Sequence, residues 1–172
     1  STAGTIPTLA QTPICCVSRP RWSDIASGHE LYDLGHMYEA AVAHFQATGK
    51  KSFLDIAAKN ADLLLRTFGP GPGQRHGFPG HQEVEIGLAK LYRVTGKKEY
   101  LDLAKFFLDE RGHYHQGPYY AKDDPFAVYD SEEYMQNHKP VLEQDEAVGH
   151  AVRAMYMYSG MADVAALGGY PE

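Results

Sequence analysis

The sequence is short of cysteine, of positive charge and of long apolar runs, and each shortage closes off a class of function. Its two cysteines are neighbours, Cys15 and Cys16. Adjacent thiols rarely reach disulfide geometry with one another, which excludes a disulfide framework. Two thiols also fall short of a cysteine-rich zinc site, so they read as passive. Lys and Arg number 16 against 22 Asp and Glu, a net charge of −6. No basic stripe forms, and nucleic acid is not an expected partner. No apolar run reaches membrane-spanning length, and residues 1–20 lack the charged start and apolar core of a leader peptide. A membrane is therefore not expected as a partner. The compartment stays open, with the cytoplasm slightly favoured for a soluble chain.

Histidine and tyrosine are what the chain has in quantity. Nine His and 12 Tyr lean towards a polar, aromatic pocket of the kind that holds sugars. The 172 residues are enough for one domain with a core, and a 44% apolar content is that of an ordinary globular protein.

A repeat organises the chain. Phe45-Gln-Ala-Thr48-Gly49-Lys-Lys-Ser-Phe-Leu54-Asp55-Ile-Ala57 returns as Tyr92-Arg-Val-Thr95-Gly96-Lys-Lys-Glu-Tyr-Leu101-Asp102-Leu-Ala104. A looser third copy is Tyr156-Met-Tyr-Ser159-Gly160-Met-Ala-Asp163-Val-Ala165. Helical periodicity on both sides of the glycine predicts stacked helix pairs, and Gly49 is expected to end the first leading helix in a left-handed cap. Residues 1–28, rich in Pro, Ser and Thr, read as an extended arm, and 29–172 as part of an (α/α) barrel. The first leading helix has Leu31, Leu34, Tyr38, Ala41, Val42 and Phe45 on one face and no Lys or Arg, so burial on two sides is expected. Ser52 and Asp55 resemble a capping box opening its partner. The third leading helix is expected from about 145 to 158, with its partner cut short near 167. Residues 112–143, with Tyr114, Tyr119, Tyr120, Phe126, Tyr129 and Tyr134, form a long connection of the kind that lines a site.

His29, His81 and His150 fall at or near the starts of the three leading helices, where a ligand can reach them. A histidine ring offers a donor and an acceptor, which suits sugar hydroxyls. His36 with Glu39 suggests a metal pair. Yet the segment is not His-Glu-x-x-His, and no Glu-x-x-His pair recurs on two helices, so packing or hydrogen bonding is the expected role. Glu83, Glu85, Glu143 and Glu146 bring carboxylates near the second and third histidines. Spacing alone identifies no acid and base among them.

His29-Glu-Leu-Tyr-Asp-Leu-Gly-His36, Pro79-Gly-His81-Gln82-Glu83, and His138-Lys-Pro-Val-Leu-Glu-Gln144 through Gly149-His150-Ala-Val-Arg153-Ala-Met-Tyr156 resemble glycoside hydrolase family 127. This is the β-L-arabinofuranosidase group, formerly a domain of unknown function. The resemblance covers nearly everything after the arm. It implies an all-α fold of helical hairpins forming part of an (α/α)6 barrel, which β-sandwich domains follow in the family. It implies a retaining release of L-arabinofuranose by a cysteine nucleophile and a Glu acid/base, with zinc held by one Glu and three Cys. Carried over, His29, His81 and His150 line the sugar pocket, with Gln82 and Gln144 as further contacts. The nucleophile, the acid/base and the zinc ligands are expected beyond residue 172. No catalytic residue, bound metal or activity is therefore expected of this segment alone. The alternative is a non-catalytic carbohydrate-binding or scaffold remnant of the same fold. Open inner-helix faces should favour self-association, since burying a large apolar side chain contributes about 1.5–3 kcal/mol.

Overall fold

The computed structural model describes residues 21–25, 28–113 and 132–169. Cys15, Cys16 and most of the arm lie outside the described residues, as do Tyr114, Tyr119, Tyr120, Phe126 and Tyr129. Five α-helices form: α1 Glu30–Thr48, α2 Ser52–Thr67, α3 Val84–Thr95, α4 Lys98–Glu110 and α5 Ala151–Gly168, with a 3-10 turn at Val141–Glu143. There is no strand among the described residues, only an isolated bridge between Phe68 and Arg75.

The first two repeats close by the same device. Gly49 (φ 69) and Gly96 (φ 71) adopt the left-handed conformation and donate their N–H groups to Phe45 O and Tyr92 O, both at 2.8 Å. Thr48 Oγ1 donates to His44 O at 2.7 Å and accepts from Lys50 N at 3.2 Å. Thr95 does the same with Leu91 O and Lys97 N at the same distances. The recurring Thr-Gly-Lys-Lys is thus a recurring C-cap. The expected capping box is not formed: Ser52 already lies inside α2, and Lys51 at the cap position makes no side-chain bond.

The third copy behaves differently. α5 runs unbroken through Ser159 and Gly160 to Gly168, and it starts at Ala151 rather than near 145. Gly160 is buried against α3, where an added Cβ would stand 3.2 Å from Glu85 Cβ. This glycine serves close approach instead of chain reversal, so the third unit is one helix and not a hairpin.

α1, α3 and α5 pack side by side, while α2 lies on α1 and α4 lies on α3. The apolar core fills the space between the layers. Leu54, Ala57, Ala61 and Leu64 of α2 meet Tyr100, Leu101, Ala104 and Phe107 of α4 and the buried stripe of α1 and α3. Trp22, ahead of α1, packs edge-on against Phe68, which packs on Phe107. Tyr38 is fully buried and donates to Asn60 Oδ1 at 2.6 Å. α1 and α3 come closest where two glycines face: a Cβ on Gly87 would stand 2.6 Å from Gly35 O. The other face of α1, with Tyr32, His36 and Glu39, is only half-covered, not buried as expected.

Candidate functional site

The three repeat histidines meet. His29 is the residue before α1, His150 the residue before α5, and His81 lies in the short segment leading into α3. Adjacent inner helices put their starts at one end of the bundle, so the rings converge. Ring centroids are 6.0 Å apart for His29 and His81, and 6.5 Å for His81 and His150. Tyr32 stands edge-on to His81 at 4.3 Å, and Tyr156 lies 5.7 Å from the same ring. Tyr32 lies 6.1 Å from Tyr156, ring to ring, and its presence raises the Tyr156 phenol. Tyr134 approaches His150 at 5.1 Å. The result is an aromatic wall with histidine nitrogens set into it.

The backbone fixes the tautomers of two rings. His81 is half-buried, and burial holds its pKa down at about 4, helped by Arg153, His29 and His150 and opposed by the Gln82 carbonyl. A neutral ring whose Nδ1 lies 2.8 Å from Gln82 O must donate there, which leaves Nε2 as an acceptor. His150 Nδ1 instead accepts from Arg153 N at 3.4 Å as an N-cap. With Nδ1 accepting, the ring N–H lies at Nε2. Adjacent histidines thus present one acceptor and one donor.

The two glutamines serve the frame. Gln82 is fully buried, and its Nε2 donates to Met135 O at 3.2 Å and Gln136 Oε1 at 3.1 Å. Gln144 donates to Gln136 O and Lys139 O at 2.8 and 2.9 Å, bracing the 3-10 turn. Three further side chains grip carbonyls around the wall. Arg111 donates to Met135 O and Pro79 O, Arg153 to Gly80 O, and Gln136 to Tyr134 O, Val148 O and His150 O.

Beside the wall lies a second cluster. His36 Nδ1 is 3.1 Å from Glu83 Oε1 and 3.6 Å from Glu39 Oε2, and Lys90 Nζ bonds Glu39 Oε1. Burial, then the neighbouring Glu39 and Glu85, pushes the Glu83 carboxyl up to about 9. Glu39 stays below its ordinary value: burial opposes this, but the adjoining Glu83 carboxyl and the Lys90 ammonium outweigh it. One atom from each of His36, Glu39 and Glu83 lies within 4.8 Å of the others, a grouping able to hold a metal ion. An open cleft of ≈ 580 Å³ runs past Glu39 and Glu83 along α5. Glu85 is also buried but turned away, accepting from Glu83 N at 3.0 Å and facing Arg111. Glu143 and Glu146 are exposed.

Reading the repeat positions alone misses Tyr32, Tyr156 and the partnership of Glu83 with His36. The signal was available on α1: Tyr32 lies three residues after His29 and four before His36, so all three share one face. Glu83 could not be placed there from spacing, because its approach depends on the bare backbone of Gly35.

A family model described as "Beta-L-arabinofuranosidase, GH127 catalytic domain" matches residues 12–171. The non-reducing end beta-L-arabinofuranosidase of Bifidobacterium longum subsp. longum is 45% identical over 159 residues. That match covers 87% of this chain and 24% of that protein. A solved GH127 beta-arabinofuranosidase superposes with a TM-score of 0.76 at 56% identity, covering 89% of this chain and 22% of the other. The GH127 beta-L-arabinofuranosidase of Geobacillus stearothermophilus T6 gives 0.80 at 49% identity, over 87% and 24%. The chain thus spans about a quarter of the length of these relatives.

Proposed function

We propose a function from one premise: the chain belongs to the family of β-L-arabinofuranosidase GH127 catalytic domains, and the five helices among its described residues are part of an (α/α)6 barrel. In this reading the chain supplies one wall of a pocket that binds an L-arabinofuranosyl residue for a retaining glycoside hydrolase. One observation carries it: His29, His81 and His150, from three separate helix starts, converge on a single aromatic wall. His81 Nε2 accepts from one sugar hydroxyl and His150 Nε2–H donates to its neighbour. Tyr32 and Tyr156 offer ring faces to the apolar side of the sugar. Gln82 and Gln144, expected as sugar contacts, act in this reading by holding the loops that carry His81 and His150.

Hydrolysis needs more than this wall. The family's cysteine nucleophile and Glu acid/base belong to residues beyond this chain in the same reading. Zinc held by one Glu and three Cys does not fit the residues present, because the chain has two Cys and none falls among the described residues. The partner is a carbohydrate, and no described helix is long and apolar enough to cross a membrane. Val152 and Met155 on the open face of α5 are 50% and 56% exposed, which supports self-association of the isolated chain.

Histidine-detected NMR with methyl β-L-arabinofuranoside tests the reading. The glycoside should shift the His29, His81 and His150 ring signals, and His81→Ala should abolish the response while the helical signal persists. Shifts confined to other histidines would overturn it. Release of L-arabinose by the 172-residue chain, lost on His81→Ala, would overturn the assignment of catalysis to residues elsewhere.

A further inference from the structure

We propose that His36, Glu39 and Glu83 form a binding site for a first-row divalent cation, separate from the sugar wall. The strongest observation is Glu83. Its side chain has 0% exposure, and neither carboxylate oxygen makes a hydrogen bond of sound geometry. A buried carboxylate without donors is costly unless a cation or proton occupies the space it faces. What it faces is His36 Nδ1, at 3.1 Å, and Glu39.

The donor set is one imidazole and two carboxylates, which suits cobalt or zinc and leaves positions open for water. Its parts come from two rigid supports, α1 and the entry to α3, locked together by the contact of Gly35 with Glu83. Lys90 bonds Glu39 Oε1, so Oε2 is the oxygen turned towards His36. One ammonium against two carboxylates leaves room for further positive charge. Entry is open as well: His36 is 42% exposed, and Glu39 and Glu83 line the cleft along α5. A proton shared between the two carboxylates is the competing occupant. Sequence reasoning set His36 and Glu39 aside because neither His-Glu-x-x-His nor a repeated Glu-x-x-His is present; Glu83, from outside α1, is the third ligand of this proposal. The inference is independent of the sugar reading, since its ligands are not the repeat histidines.

The test is cobalt(II) alone, added to the full 172-residue chain and followed by equilibrium dialysis and visible absorption. One cobalt per chain is expected, with a nitrogen and oxygen spectrum free of thiolate charge transfer. Glu83→Gln, close in shape to the neutral carboxyl, should weaken uptake by about tenfold or more, and His36→Gln should do the same. Lys90→Met, which removes the competing ammonium, should tighten it. His81→Ala should leave affinity unchanged. Equal affinity in Glu83→Gln, a thiolate band from Cys15 and Cys16, loss on His81→Ala, or no uptake at millimolar cobalt would each overturn the proposal. Circular dichroism of every variant identifies any that fail to fold, and Lys90→Met, on a half-exposed side chain, carries the test if Glu83→Gln does.

Discussion

The inner and outer layers of this bundle hold together by opposite means. α2 and α4 meet the rest of the chain through bulk: Leu64, Phe68, Tyr100 and Phe107 are all buried to 2% exposure or less. α1, α3 and α5 meet through absence: Gly35, Gly87 and Gly160 let backbones approach where a Cβ would stand 2.6–3.2 Å from a neighbour. The outer layer therefore excludes water, whereas the inner layer brings polar side chains of different helices within reach of one another. A layer built on bulk fails when atoms are removed. A layer built on absence fails when they are added.

The largest expected effect breaks the outer half of this contrast. Phe107→Ala should cost about 3–5 kcal/mol in urea unfolding, through lost burial and the cavity left behind. Next comes the inner half: Gly87→Ala should cost about 1–3 kcal/mol, because its methyl meets the backbone of Gly35 and not a movable side chain. It should also disturb the ring signals of His36, whereas Phe107→Ala should not. Gly96→Ala separates conformational need from space. Nothing lies within 4 Å of its would-be Cβ, yet φ 71 is left-handed, so about 1–2 kcal/mol is expected. Gly160→Ala, in helical backbone, should cost less than Gly96→Ala although its site is more crowded. The smallest effect lies on the surface of the outer layer. Burial opposes it, but hydrogen bonds from Lys97 and Tyr100 hold the Asp62 carboxyl below its ordinary value. The stabilisation is present above the usual carboxylate range and is lost as pH falls through the lowered value. Solvent screens this pair, so Lys97→Met should flatten the acid limb of the stability curve by less than about 1 kcal/mol.

What the sequence made legible follows the same division. The outer helices and both hairpin junctions were readable, because apolar periodicity and Thr-Gly-Lys-Lys act locally. The convergence of His29, His81 and His150 was also readable, since equivalent repeat positions stack at one end of a bundle. Gly160 misled: the third copy of the repeat reads as a junction between two helices, and only the proximity of Glu85 reveals its other use. The capping box at Ser52 failed by one position, because the new helix follows Gly49 too closely. The His36 cluster was half visible, since its third member arrives through a glycine contact that no helical period encodes.

The grip of Arg111, Arg153 and Gln136 on main-chain oxygens has a consequence for change over generations. Pro79, Gly80, Tyr134, Met135 and Val148 are held through groups that every amino acid possesses. Those loop positions can exchange side chains while the curvature of the loops persists. The three anchors, in contrast, have no substitutes of matching reach. Drift in ligand preference can thus proceed around this rim without dismantling the frame that carries it.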